Sequence, residues 1–167
     1  MSYQALRTFF MYISLFLVGG FIYGIIEVTY RGYTHPSMFI LGGVCLILIG
    51  LMRRYLPPQT PYIVLLLFCA ILISSLEFFT GVIVNLYLHM NVWDYSAMPW
   101  NLWGQVCMPF FILWFLISVP ALSVDTLIRQ KCWGQKRLES VASDVSDTNW
   151  AKVAATPEGQ TPENKQV

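Results

Sequence analysis

An all-α membrane protein with about four transmembrane helices is the fold class this sequence predicts, and three observations carry the prediction. Of the 167 residues, 56% are hydrophobic and only 11% charged, whereas soluble domains carry about 25% charged residues. Four apolar runs approach or exceed the length needed to cross a hydrocarbon core of about 30 Å. Lys and Arg gather in the segments that would lie on one side of those crossings.

The first run, residues 8–26, carries no charge and would be about 28 Å long as a helix. Its basic flank is only Arg7 and no small-x-small cleavage site follows, so the run is expected to be an uncleaved first span. The second, residues 36–52, opens on Pro36, which suits a first helical turn because its missing N–H has no partner there anyway. Pro57, Pro58 and Pro61 follow in a short loop, so the second and third spans are expected to be antiparallel neighbours. The third run, residues 62–90, would be about 43 Å long as a helix and must tilt or project from the bilayer. The fourth, residues 106–128, contains Pro109 and Pro120, which are expected to kink it or break its ends.

Residues 91–105 hold Trp93, Tyr95, Trp100 and Trp103, the side chains that settle at the headgroup level. They are expected to form a cap on the outer face, partly re-entrant, with Asp94 and Ser96 capping a short interfacial helix. A fifth crossing would require residues 93–103 to dip into the membrane. Residues 1–137 are thus expected to form a polytopic membrane domain. Residues 138–167 turn to Ser, Asp, Thr, Pro, Gln and Glu and are expected to be a disordered cytoplasmic tail.

Orientation follows from the cations. Arg7, Arg53, Arg54, Arg129, Lys131, Lys136 and Arg137 fall on one side of a four-span chain, and only Arg31 on the other. The positive-inside rule then places both termini in the cytoplasm of a multi-pass protein of the cell membrane.

Polar residues inside the spans are the candidate site. Gly20, Gly24, Glu27 and Arg31 fall near one line of the first helix, and Gly20-x-x-x-Gly24 is a surface that lets another helix approach closely. Glu27 and Arg31 form an i,i+4 pair, either functional or a solvated helix end. On the third span Ala70, Ser74, Glu77, Gly81, Asn85 and His89 share a face. In lipid such a stripe must face protein or water, and a carboxylate near mid-membrane costs on the order of 3 kcal/mol. Helix rise puts Glu27 and Glu77 at similar depths in the outer half. Glu27, Arg31, Glu77, Thr80 and Asn85 are therefore expected to line an outward-opening polar cavity, with Asp94 and Asn101 of the cap completing a ligand-binding set.

Other chemistries are poorly supported. A formal net charge of +1 leaves no basic field for nucleic acid. Cys45, Cys69, Cys107 and Cys132 show no C-x-x-C spacing, against a disulfide scaffold or zinc ribbon. His35 and His89 make no H-E-x-x-H pattern, so neither an enzyme nor a cofactor is expected, and a zinc site from His89, Asp94 and Glu77 is the weaker alternative.

Taken together, Glu77-Phe-Phe-Thr-Gly81, Trp93-Asp-Tyr-Ser96, Pro99-x-Asn101-x-x-Gly104 and Cys107-x-Pro109 resemble the bacterial type IV, CmpB-like ABC-transporter permease family. Gly24-x-x-Glu27-x-x-Tyr30-Arg31 is similar to the start of that family's pattern, and the resemblance runs from about residue 19 to residue 120. It implies a membrane subunit of a transporter. The chain has no G-x-x-x-x-G-K-[ST] phosphate loop, so transport of that kind would need a homo-oligomer or a separate ATPase subunit. The competing expectation is a non-transporting scaffold whose buried acids are helix-packing contacts.

Overall fold

The computed structural model describes residues 3–134. The expected tail, 138–167, and the cations Lys136 and Arg137 lie outside the described residues. Four helices, α1 (Tyr3–Arg31), α2 (Pro36–Tyr55), α3 (Tyr62–Gly81) and α4 (Met108–Leu127), are long and apolar enough to cross a membrane.

α1 outruns its apolar stretch at both ends because nothing in its flanks breaks a helix before Gly32. That glycine takes φ +79°, and its N–H closes on the Val28 carbonyl at 2.8 Å, a left-handed stop that favours glycine. α2 starts on His35, whose Nδ1 accepts from the Ser37 N–H at 3.3 Å, with Pro36 in the first turn. α3 continues into a π-helical turn at Val82–Tyr87, and α4 into another at Ile128–Cys132. Pro109 sits harmlessly in the first turn of α4. Pro120 lies inside the helix, which runs through it to Leu127, so the expected broken end does not occur there. Packed neighbours hold the helix across the one backbone hydrogen bond that proline removes.

The helices form one bundle in which α2 touches the other three. The α1–α2 contact does not use the expected Gly20-x-x-x-Gly24 face as a whole. A Cβ on Gly19 would meet the Gly42 carbonyl oxygen at 2.5 Å, and one on Gly42 would meet the Gly19 oxygen at 2.7 Å. Gly20 and Gly43 lie against Phe39 and Phe16, whereas Gly24 has only Thr34 Oγ1 near it, at 4.0 Å. The two backbones therefore meet at Gly19 and Gly42, where no side chain intervenes.

One end of the bundle is basic. Arg7 Nη2 donates to the Trp133 carbonyl at 2.6 Å, joining the start of α1 to the end of α4. Arg129 Nε donates to Asp125 Oδ1 at 2.8 Å, and its guanidinium lies over the Tyr12 ring, 5.4 Å from the ring centre. Asp125 and Arg129 are both buried, so this ion pair lies within the bundle and not in solvent.

The other end is closed by residues 88–107. A two-residue ladder pairs β1 (Asn101–Leu102) with β2 (Val106–Cys107) in antiparallel register. Trp103 and Gly104, at φ +53° and +66°, turn the chain between them, and the Gln105 N–H closes on Leu102 at 3.0 Å. The interfacial helix expected after Asp94 is not formed. Asp94 Oδ1 instead accepts from the Ser96 N–H and hydroxyl at 2.8 and 2.5 Å, a local turn that competes with helix initiation.

Candidate functional site

Glu77 is the centre of the capped end. α3 brings its carboxyl, 0% exposed, between α4 and the cap. Oε2 accepts from Trp114 Nε1 at 2.8 Å, and Oε1 accepts from the Tyr95 hydroxyl at 3.2 Å. Tyr95 stacks on Phe110 at 4.6 Å between ring centres, and Trp114 stacks on Tyr23 at 5.4 Å. A buried acid is thus held by two neutral donors within an aromatic cage, which offsets the loss of its hydration. Burial above all, then the charge of Glu77 and the hydrogen bond to it, push the Tyr95 phenol above its ordinary range, while Arg31 opposes them. Tyr95 therefore keeps its proton and remains a donor to Glu77 throughout the physiological range.

Arg31 pairs with Glu27 one turn earlier on α1 and donates to the Val92 carbonyl of the cap. Tyr33 lies under the guanidinium, 5.0 Å from its ring centre, and its hydroxyl donates to the same carbonyl at 3.3 Å. Glu27 is buried, so the solvated-end reading of this pair does not hold. From the π-helical turn that extends α3, Asn85 grips the same stretch of cap. Its Oδ1 accepts from the Val92 N–H at 2.7 Å, and its Nδ2 donates to Trp93 O at 3.0 Å and Gln105 Oε1 at 2.8 Å. Gln105 in turn takes the Trp93 indole on its carbonyl at 3.0 Å. A Cβ on Gly81 would run into Gln105, so the bare glycine is what seats the cap on α3.

Glu27, Arg31, Glu77 and Asn85 therefore converge at the capped end, with Tyr95, Phe110 and Trp114 filling the space among them. Thr80 is half-buried and makes no side-chain hydrogen bond among the described residues. Asp94 and Asn101 are exposed and shape the cap itself. Asn101 Nδ2 donates to Ser96 O at 3.1 Å and Met98 O at 2.8 Å, and its Oδ1 accepts from the Gly104 N–H at 3.2 Å. A Cβ on Gly104 would strike both Ser96 Oγ and Asp94 Oδ1. The hydrogen bonds from Ser96 hold the Asp94 carboxyl below its usual value. The W-D-Y-S…P-x-N-x-x-G run is the wiring that turns Tyr95 inward; the Tyr95 N–H is fixed to the Gly104 carbonyl at 2.8 Å.

Sequence reasoning does not find Tyr95, Trp114 and Gln105 as partners of the polar stripe. The available signal is the need of a buried carboxyl for donors, and Tyr and Trp are the side chains that bring a donor into an apolar wall. Among the described residues no three His, Cys, Asp or Glu side chains gather to hold a metal ion; His89 and Asp94 are exposed while Glu77 is buried. Burial, foremost, raises the Cys107 thiol above its ordinary value, so it is not poised as a nucleophile.

Asn85→Leu keeps the branched outline of the side chain and removes all three bonds to the cap. It should cost about 1–3 kcal/mol, expose the cap tryptophans to a fluorescence red shift and speed amide exchange at Val92, with helix content unchanged. An unchanged emission spectrum would contradict the role of Asn85 as a clamp.

Four apolar helices around a buried carboxyl, closed at one end by a hydrogen-bonded cap, define a multi-pass membrane protein. The chain belongs to the family described as Putative ABC-transporter type IV, whose model matches residues 8–142. No curated protein and no solved structure matches the chain. Family and helices together point to a membrane transport component that associates with other transporter subunits.

Proposed function

We propose that the chain is the membrane-embedded subunit of a transporter in the cell membrane, with both termini cytoplasmic. A separate ATPase subunit or further copies of the chain complete the machine. The clustering of Arg7, Arg53, Arg54, Arg129 and Lys131 away from the capped end supports that orientation. The observation that carries the reading is the bond between Tyr95 of the cap and Glu77 of the bundle. Lifting the cap would release a carboxylate oxygen and create a polar opening around Glu27 and Glu77, which are closed off in the capped bundle, so access and binding become one event. A cationic or polar solute, or a proton, fits that chemistry.

Glu77→Gln keeps the shape and one of the two acceptor oxygens while removing the charge. In vesicles holding the chain and its ATPase partner, flux should fall by about tenfold or more with the helices intact. Full flux in a folded Glu77→Gln variant would end this reading.

A second reading is favoured by the same contacts. Glu77, Asn85 and Arg31 each find partners within the chain, as expected of a scaffold whose acids serve packing. A Glu77→Gln variant that only lowers the melting temperature, in a protein that supports no flux with any ATPase partner, would establish the scaffold.

A further inference from the structure

Charge is one-sided at the end of the bundle away from the cap. Arg7 of α1, Arg53 and Arg54 of α2, and Arg129 and Lys131 in the turn that ends α4 all stand there, and Asp125 is the single acid beside them among the described residues. Contacts draw these cations together. Asp125 binds Arg129 at 2.8 Å and feels the charges of Arg53 and Arg54 through space, and Arg7 reaches from α1 to the Trp133 carbonyl at 2.6 Å. One carboxylate balances one charge of the five. Both Nη atoms of Arg129 are also buried with no hydrogen-bond partner among the described residues, so the ion pair leaves positive charge unanswered beneath the surface. Arg7 and Lys131 are exposed and Arg53 is half-buried, so an anion can reach these three from outside and needs no contact with Arg129.

Along α4 and its π-helical turn, Met108 and Arg129 are about 31 Å apart, one hydrocarbon thickness. The cations therefore lie at the headgroup level, where lipid phosphates are. One turn toward the membrane centre, Phe10 follows Arg7 on α1 and Leu127 precedes Lys131 on α4, and both are exposed. Cations beside bare apolar side chains fit a ligand that carries a phosphate and acyl chains together. Deeper in the bundle, a cavity of about 100 Å³ beside Ile49, Ile73 and Ala121 is apolar and offers a headgroup nothing.

We propose that the basic end binds the phosphate headgroup of an anionic phospholipid through Arg7, Arg53 and Lys131, with the acyl chains lying along Phe10 and Leu127. Each cation near the membrane surface raises affinity for an anionic lipid about fivefold. Arginine adds a fork of parallel N–H groups that matches phosphate oxygens. Arg7 is already fixed by its bond to Trp133, so little freedom is lost when it meets a phosphate. A lipid bound there ties the start of α1 to the ends of α2 and α4. The site lies at the opposite end of the bundle from Glu77 and serves a transporter and a scaffold alike.

The full chain in micelles is titrated with dioleoyl phosphatidylglycerol or dioleoyl phosphatidylcholine, and bound lipids are counted by native mass spectrometry. Phosphatidylglycerol should saturate at one or a few molecules and bind about tenfold or more tightly than phosphatidylcholine. Arg53→Gln and Lys131→Gln should each weaken it about fivefold without changing helix content or phosphatidylcholine binding, while Lys131→Arg keeps the affinity. Equal affinity for the two lipids overturns the proposal, as does uptake that never saturates. Phosphatidylglycerol affinity unaltered in the folded Lys131→Gln variant and in the Arg53→Gln, Lys131→Gln double variant has the same consequence. Displacement of the lipid by millimolar inorganic phosphate would make the site one for the free anion and also overturns it. Lipid retention is read without flux, so its loss leaves the transport reading standing, and absent flux leaves the lipid site standing.

Discussion

Gly42→Leu should separate α1 from α2 and destabilise the bundle by about 3 kcal/mol or more. Even a single added carbon on Gly42 would press on Tyr23 Cβ and on the Gly19 carbonyl oxygen, the latter at 2.7 Å. The obstruction is backbone and the root of a side chain, which cannot rotate away, so overpacking reaches the upper part of its usual range. Gly24→Leu is the matched control. Its Cβ would meet only Thr34 Oγ1, at an ordinary contact distance of 4.0 Å, and replacing a helical glycine gains about 1 kcal/mol of propensity, so that variant should be neutral or slightly more stable. Denaturant titration in mixed micelles followed by circular dichroism measures both. Equal losses at the two positions would mean that the helices meet on the Gly20-x-x-x-Gly24 face instead.

Arg129→Met should cost about 3–5 kcal/mol, because it strands the buried Asp125 carboxylate without its counter-ion. Asp125 is pressed onto α2 at Gly50, where a Cβ would coincide with the carboxylate, so it cannot move toward water on that side. The charges of Arg53 and Arg54 bear on it through space but do not replace the direct bond from Arg129 Nε. Replacing both partners, Asp125→Leu with Arg129→Met, should recover most of the loss, since two apolar groups leave no unpaired charge. The same titration reads the cycle. A double variant as unstable as Arg129→Met alone would show that the pair is needed as ions.

The crossings are legible in the sequence because a membrane demands an apolar run of fixed length, and few folds of a soluble chain would tolerate four of them. The convergence of Glu77 and Asn85 on one side of α3 is legible for a similar reason: a polar stripe must turn inward. Which neighbour meets the stripe is not legible. Tyr95 reaches Glu77 only because Asp94, Ser96, Asn101 and Gly104 knot the cap, and those bonds join residues across a turn with no periodicity to betray it. Glycine spacing is equally ambiguous: Gly19, Gly20 and Gly24 offer two faces, and only the partner helix selects Gly19. Asp125 and Arg129 mislead because an i,i+4 pair near a helix end looks the same whether solvated or covered. Trp100 and Trp103 occupy left-handed backbone, at φ +54° and +53°, a conformation that bulky aromatic side chains rarely adopt and no pattern foretells.

At mid-height a cavity of about 100 Å³, lined by residues of all four helices, separates the middle turns of α1 and α4. Hydrostatic pressure acts first on such dead volume, because collapse or flooding of the void shrinks the whole system. With Tyr23 stacked on Trp114 above and Arg129 lying on Tyr12 below, compression should fall on the middle turns of α1 and α4.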